Sequence, residues 1–270
     1  MTNIVIITSN ALRHDYMRIM FGLNQEINVL KSYVETPINK DSKRDLSSVE
    51  ESHFLAREKT ELDFFSDIVF SSEDNSNPMY IEKNKINDQN YIDEIQKLGP
   101  DIIITFGCCI IRENLLQAFK DKIINVHLGI SPYYLGAGTN FISIVNNDFQ
   151  CTGYTFMYMD RGIDTGEIIH QARAEVYLFD NIHQIGNRLI KNMVHDFIKL
   201  VSNLHSIKKM LPITTNIDPI ICFNRDATEL KTIELYNNFL NGAVKLFLAN
   251  KEEIESRYPI IEQSFLKKIL

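Results

Sequence analysis

Short, nearly continuous apolar runs alternate along the chain with segments whose apolar residues recur at helical spacing. "IVIITS" (4–9) is apolar until it ends in small polar residues, as a strand buried on both faces does where it runs into a loop. "NALRHDYMRIMFGLN" follows with helical periodicity. The same reading predicts a strand over 27–35, a helix over 51–65, a short strand at Met79–Ile81 and a helix over 90–99 closed by Gly99 and Pro100. "DIIITFG" (101–107) and "KIINVH" (122–127) are strands, with a helix in "RENLLQAF" between them. Residues 138–148 predict a helix, 151–160 a strand with Glu167–Val176 as its antiparallel neighbour, and 181–204 a long amphipathic helix. The polar stretch 36–50 has no periodicity and predicts a mobile loop.

Strands alternating with helices make an α/β protein: a Rossmann-like, mostly parallel sheet flanked by helices. The pattern changes near residue 206. Residues 1–205 are read as the main domain and 206–270 as a small C-terminal extension packed on it. A helix over Thr228–Asn250 either covers the sheet or forms the surface of a homodimer. In such sheets ligands bind beyond the carboxyl ends of the strands. The loops Ser9–His14, Gly107–Ile111 and Asn125–Gly138 therefore define the candidate site.

Composition narrows the class. The 270 residues are 44% hydrophobic and 23% charged, enough for a sizeable core without staples. No apolar run approaches a membrane span, and "NIVIITS" is not a signal peptide, so a cytoplasmic protein is expected. The formal net charge of −7 disfavours a nucleic-acid partner. It suits a small anionic substrate held by a few arginines. Cys108, Cys109, Cys151 and Cys222 show no metal-ligand spacing, so no metal is expected. They read as reduced thiols, the adjacent pair being badly placed for a disulfide.

Asn125 and His127 stand two apart at a strand exit, so both address one point. An amide donates without titrating, and an imidazole can move a proton. A satisfied loop histidine beside a turn asparagine has the same spacing. "MDRGIDTGEII" (159–169) adds Asp160 and Asp164 between two strands; a polar hairpin loop reads the same way, and so does a carboxylate that orients His127.

Taken together and in order, "NVH", "GISPYYLGAG" and "DTG" resemble the motifs of the folate-dependent formyltransferases. That family includes glycinamide ribonucleotide, methionyl-tRNA and sugar N-formyltransferases. The resemblance runs from about Ile4 into the 200s, and "ITFGCCIIRENLL" (104–116) is similar to the family's folate segment. The sequence departs from the family in Gly129-Ile130-Ser131 before the proline, in Tyr134-Leu135 where a basic residue is usual, and in "GTNF" at 138–141.

The resemblance implies formyl transfer from 10-formyltetrahydrofolate to a primary amine through a tetrahedral oxyanion, without a metal. It implies Asn125 and a protonated His127 as oxyanion donors, with Asp164 keeping His127 charged and turned. The pterin would lie against Phe106, Gly107, Cys108, Cys109 and Ile110, and against Met159, Asp160, Arg161, Gly162 and Ile163. The acceptor would meet Ser9, Asn10, Arg13, His14, Tyr133, Tyr134, Gly138 and Thr139. Arg13 and His14, at a helix start, are expected to contact an anionic group such as the diphosphate of a nucleotide-linked amino sugar. His53, Arg57 and Glu61 share one helix face, expected to be solvated. The alternatives are a methionyl-tRNA formyltransferase, a formyltetrahydrofolate hydrolase and a folate-binding module without catalysis.

Overall fold

The structure, a computed structural model, describes residues 1–37 and 46–267; most of the loop expected over 36–50 lies outside the described residues. The first half runs β1 (Thr2–Ser9), α1 (Leu12–Gly22), β2 (Ile27–Thr36), α2 (Ser48–Ser71), β3 (Pro78–Glu82), α3 (Gln89–Leu98), β4 (Ile102–Phe106), α4 (Glu113–Ala118) and β5 (Ile123–His127). Then come β6 (Tyr134–Gly136), α5 (Thr139–Val145), β7 (Gly153–Tyr158), β8 (Ile168–Arg173) and α6 (Ile182–Ser202). The last stretch holds β9 (Ile220–Cys222), α7 (Glu229–Leu240), α8 (Ala243–Ala249) and α9 (Lys251–Ser256).

Seven strands form one sheet in the order β3-β2-β1-β4-β5-β7-β8. The first five pair in parallel; β7 and β8 add an antiparallel edge. The chain leaves β1 to one side for β2 and β3, and returns on the other side for β4 and β5. That reversal opens a crevice at the carboxyl ends of β1 and β4.

Alternation along each strand divides the core between two faces. Ile4, Ile6, Ile104, Ile124 and Phe156 pack on one face against α1 and α6, where Phe197 stacks on Phe156 at 4.6 Å and takes the edge of Phe21 at 5.4 Å. Val5, Ile7, Ile103 and Ile123 pack on the other face with Ile92, Ile95 and Leu115 of α3 and α4.

Helix α2 is longer than the 51–65 expected. A capping box starts it at Ser47, with Glu50 N donating to Ser47 Oγ and Ser47 N to Glu50 Oε2. Its apolar stripe continues past Phe65 through Ile68 and Val69. The single helix expected over Thr228–Asn250 is instead two, because Gly242 takes a left-handed φ of +83° between α7 and α8.

The C-terminal stretch shares the core of the main domain. Leu235, Val244, Phe247 and Leu266 belong to the cluster under α6, and Ile261 exchanges hydrogen bonds with Gln171 of β8. Strand β9 pairs in parallel with β6. Among the described residues no helix is long and apolar enough to cross a membrane, and no group of His, Cys, Asp or Glu has the geometry of a metal site. The four cysteines are free.

Candidate active site

Strands β4 and β5 set Thr105 opposite Asn125. The Thr105 hydroxyl donates to Asn125 Oδ1 at 2.8 Å. That bond fixes the amide with Nδ2 turned away from Thr105, and among the described residues Nδ2 has no acceptor. Asn125 is half-buried, so this donor is presented at the mouth of the crevice.

His127, two residues on and on the same side of β5, is only 5% exposed. Its Nδ1 lies 3.2 Å from Asp164 Oδ2, and its Nε2 lies 2.9 Å from the carbonyl oxygen of Tyr134. The Gly136 amide donates to the same Asp164 oxygen at 2.8 Å. Asp164 sits in the left-handed region at φ 54°, which an aspartate tolerates better than most residues. Asp160 serves the loop instead, accepting from Gly162 N and from the Thr165 hydroxyl, both at 2.9 Å.

Burial pushes the His127 pKa below the usual 6.5, against the opposing pull of the Asp164 charge and the Tyr134 carbonyl. Both ring nitrogens nevertheless face acceptors. A neutral imidazole can donate to only one of them. The site thus holds a prepared place for one more proton. Nε2 of His127 is occupied by the Tyr134 carbonyl, and the unspent donor at the crevice is Asn125 Nδ2.

The loop after β4 is held from below by residues that sequence reading missed. Buried Glu35, at the end of β2, accepts from Cys109 N at 2.6 Å and from Asn84 N at 2.8 Å. Buried Asn87 donates to the Ile110 carbonyl at 3.1 Å and accepts from Arg112 N at 2.7 Å. Neither residue carries a sequence signal, since a polar residue at a strand end or in a turn is ordinary. Gly107 takes a φ of +64° there, and a Cβ on it would sit 2.2 Å from His14 Cε1. The bound loop leaves Ile110 82% exposed, and Ile163 on the opposite loop is 60% exposed. Arg161 ties that second loop to Glu113 at the start of α4. The cysteines contribute neutral surface, burial raising the Cys109 thiol to about 12 and Cys108 higher still.

The expected acceptor residues divide. Ser9 and Asn10 lie at the crevice, with Asn10 exposed, and Arg13 is half-buried. His14 is withdrawn as an anion contact. It is 2% exposed, its Nδ1 lies 2.9 Å from the Thr8 hydroxyl and 3.1 Å from the Phe106 carbonyl, and burial lowers its pKa to about 3. Tyr133 and Tyr134 are withdrawn as stacking surfaces. Both are buried, Tyr133 donating to the Pro259 carbonyl at 2.9 Å and Tyr134 to Asp148 at 2.6 Å. Thr139 is buried with its hydroxyl on the Leu128 carbonyl, and Gly138 caps α5. The face of α2 expected to be solvated is largely buried: His53 and Glu61 pack inward, Glu61 binding Arg13 at 2.9 Å.

A cavity of about 470 Å³ borders Asp164 and is lined also by Ser131, Leu135, Lys209, Met210 and Ile213. Sequence reading gave no sign of it, because its second wall comes from the C-terminal stretch.

The model of the formyl transferase family matches residues 30–201, more than half of the chain. Two curated relatives are methionyl-tRNA formyltransferases, one from Clostridioides difficile (40% identical over 111 residues) and one from Finegoldia magna (31% over 128). These matches take in 40% and 44% of this chain, but only 34% and 41% of those relatives' lengths. A solved sugar N-formyltransferase from Shewanella sp. superposes with a TM-score of 0.57 at 15% identity, covering 87% of each chain, which is likeness of fold. With the family model over residues 30–201, which include the Asn125–His127–Asp164 constellation at the crevice, the chain belongs to the formyl transferase family.

Proposed function

We propose that the protein is a cytoplasmic N-formyltransferase that moves a formyl group from 10-formyltetrahydrofolate to the primary amine of a small phosphorylated acceptor, foremost a nucleotide-linked amino sugar. The observation that carries this reading is the convergence of a free amide donor, Asn125 Nδ2, with a buried imidazole–carboxylate pair whose nitrogens both face acceptors.

Folate supplies an activated formyl group; the chain supplies its surroundings. The loop Phe106–Ile110, pinned by Glu35 and Asn87, and the loop Met159–Ile163 present opposing surfaces in which Ile110 and Ile163 are exposed apolar side chains suited to a flat ring. Gly107, with a left-handed φ and no side chain, leaves room for the His14 ring that packs beneath the loop. Asn125 Nδ2 donates to the formyl oxygen as it gains charge during attack, a contact worth about 3 kcal/mol in comparable sites. The His127–Asp164 pair takes up the proton that the attacking amine must lose and returns it to the departing nitrogen. The cation formed on uptake satisfies both the Tyr134 carbonyl and Asp164.

A second reading, transfer to methionyl-tRNA, is favoured by the curated relatives. The net charge of −7 weighs against a polyanionic partner. One experiment separates the readings: incubation with 10-formyltetrahydrofolate and a panel of nucleotide-linked amino sugars, following tetrahydrofolate release and the mass of each acceptor. Mass gain on an amino sugar supports the proposal. Gain on charged initiator tRNA alone selects the second reading, and release without any acceptor identifies a hydrolase.

A further inference from the structure

A row of buried side chains crosses the antiparallel edge of the sheet, from the His127 imidazole to the C-terminal stretch. His127 of β5 pairs with Thr155 of β7, and Thr155 pairs with Gln171 of β8. Residues opposite one another in antiparallel strands point to the same face, so the three side chains stand in line. Thr155 and Gln171 are fully buried. A hydroxyl and an amide in such a place need partners within the protein.

Their partners converge on one loop. Gln171 Nε2 donates to the Ser131 carbonyl at 2.6 Å and to Thr155 Oγ1 at 3.0 Å. Thr155 Oγ1 donates to the Gly129 carbonyl at 2.7 Å and accepts from Ser131 N at 3.2 Å. On its other side Gln171 Oε1 accepts from Ile261 N at 3.0 Å. Both N–H bonds and the oxygen of the amide are thus in use. An ionised carboxylate in its place would have no donor for the Ser131 carbonyl, and an apolar side chain would leave that carbonyl and Ile261 N without their partner.

The loop held in this way is the one that meets the imidazole. A Cβ on Gly129 would stand 2.5 Å from His127 Nε2, so the Gly129 backbone lies close against the ring. Between the two anchored residues, the Ile130 carbonyl accepts from Tyr133 N at 3.0 Å and from Tyr134 N at 3.2 Å. Those bonds shape the turn that delivers Tyr134, whose carbonyl lies 2.9 Å from Nε2. Asp164 stands at the other ring nitrogen, 3.2 Å from Nδ1. One side of the ring is therefore set by a carboxylate, and the other by a backbone loop anchored on Thr155 and Gln171.

We propose that Gln171 is a positioning residue for the transfer: through Thr155 and the loop Gly129–Ser131 it fixes the Tyr134 carbonyl, and with it the His127 ring, where the ring can take up the amine's proton. This rests on the proposed function for what His127 does; the placement of the ring can be read without either substrate. Gln171→Met keeps the length and removes the donors and the acceptor, and Thr155→Val keeps the shape and removes the hydroxyl. Each is expected to lower kcat about tenfold or more, since small misplacements of a reacting group are costly. The KM for 10-formyltetrahydrofolate should stay within about twofold of the wild type, the signature of an interaction that acts on the reaction and not on binding. The His127 ring resonances in NMR spectra of the substrate-free protein should shift in both variants. Thr155→Ser, which restores the hydroxyl, should recover both the rate and the ring signals. Variants that lower only the melting temperature, with kcat per folded molecule and ring signals unchanged, overturn the proposal. Should Gln171→Met not fold, Gln171→Glu replaces it. Its buried carboxyl, once neutralised at low pH, offers one donor to the Ser131 carbonyl and keeps an acceptor for Ile261 N. Its kcat relative to the wild type should then rise as pH falls, and a constant ratio overturns the proposal. Shifted ring signals with undiminished formyl transfer would instead remove His127 from the proposed function and leave the placement of its ring by Gln171 standing.

Discussion

One oxygen of Asp164 serves two partners: Oδ2 lies 3.2 Å from His127 Nδ1 and accepts the Gly136 amide at 2.8 Å. The carboxylate is thus fixed by backbone as well as by the imidazole. Asp164→Asn is nearly isosteric but removes the charge that opposes burial at His127. We expect kcat to fall by about 10²–10⁴ while the melting temperature stays close to that of the wild type. Tetrahydrofolate release and circular dichroism melts on the same samples check both halves.

Asn125→Ala removes the free amide donor. The expected loss in kcat is about 10²–10³, with folate affinity nearly unchanged, because Nδ2 acts on charge that develops during reaction. A loss confined to KM would assign Asn125 to binding instead.

Gly129 lies against the His127 imidazole. A Cβ there would stand 2.5 Å from His127 Nε2 and 2.6 Å from Thr139 Oγ1. Gly129→Ala should displace the ring from the Tyr134 carbonyl, lowering kcat at least about tenfold and stability by about 1–3 kcal/mol. The imidazole resonance of His127 in NMR spectra would report the displacement.

The two carboxylate oxygens of Glu35 hold backbone amides of two loops. In Glu35→Gln one oxygen becomes an NH2 that faces an N–H. The expected cost is about 1–3 kcal/mol. The KM for 10-formyltetrahydrofolate should rise more than kcat falls, because the change lies under the loop rather than at the reacting atoms.

Three histidines set the acid limit of stability. Burial lowers His14 to about 3, and His170 and His183 to about 4. Each is neutral when folded and takes up a proton when unfolded below about pH 6.5. Their contribution is complete above that pH and is lost as pH falls towards 4. Near pH 5 these three side chains together bind about three more protons in the unfolded chain than in the folded one. Stability should then decline by about 4 kcal/mol per pH unit from these groups. Urea unfolding at pH 7, 6 and 5 measures the slope; a flat profile would contradict it.

The long-range frame was legible because its signals are periodic. Buried parallel strands such as Ile4–Ile7 and Ile102–Ile104 are continuous apolar runs, and α6 carries a full amphipathic stripe. The three-residue strands β6 and β9 were not, since three residues carry no period. Asn125 and His127 stood out by their spacing, but only the resemblance of the motifs selected them and chose Asp164 over Asp160; in the structure His127 and Asp164 are in contact. The direction of a side chain was much harder to read. Position along the chain brings Tyr133, Tyr134 and His14 near the site, yet all three point into the interior. Glu35 and the α2 face were missed for the complementary reason. Their polar side chains look solvated in sequence and become buried only when distant segments fold over them.

The pairing of β6 with β9 also has a consequence for how the protein is made. The carbonyl on His127 Nε2 belongs to Tyr134, whose strand is paired by Ile220–Cys222, roughly 86 residues downstream. At a translation rate of about 5–20 residues per second, the ribosome takes about 4–17 s to cover that interval. Once β8 has been made at Arg173, the nascent chain holds the strands of its sheet and its imidazole but not yet the strand that pairs with the segment beside it. Formyl transfer should therefore begin only after synthesis has passed Cys222, and a polypeptide stalled before that point should be inert.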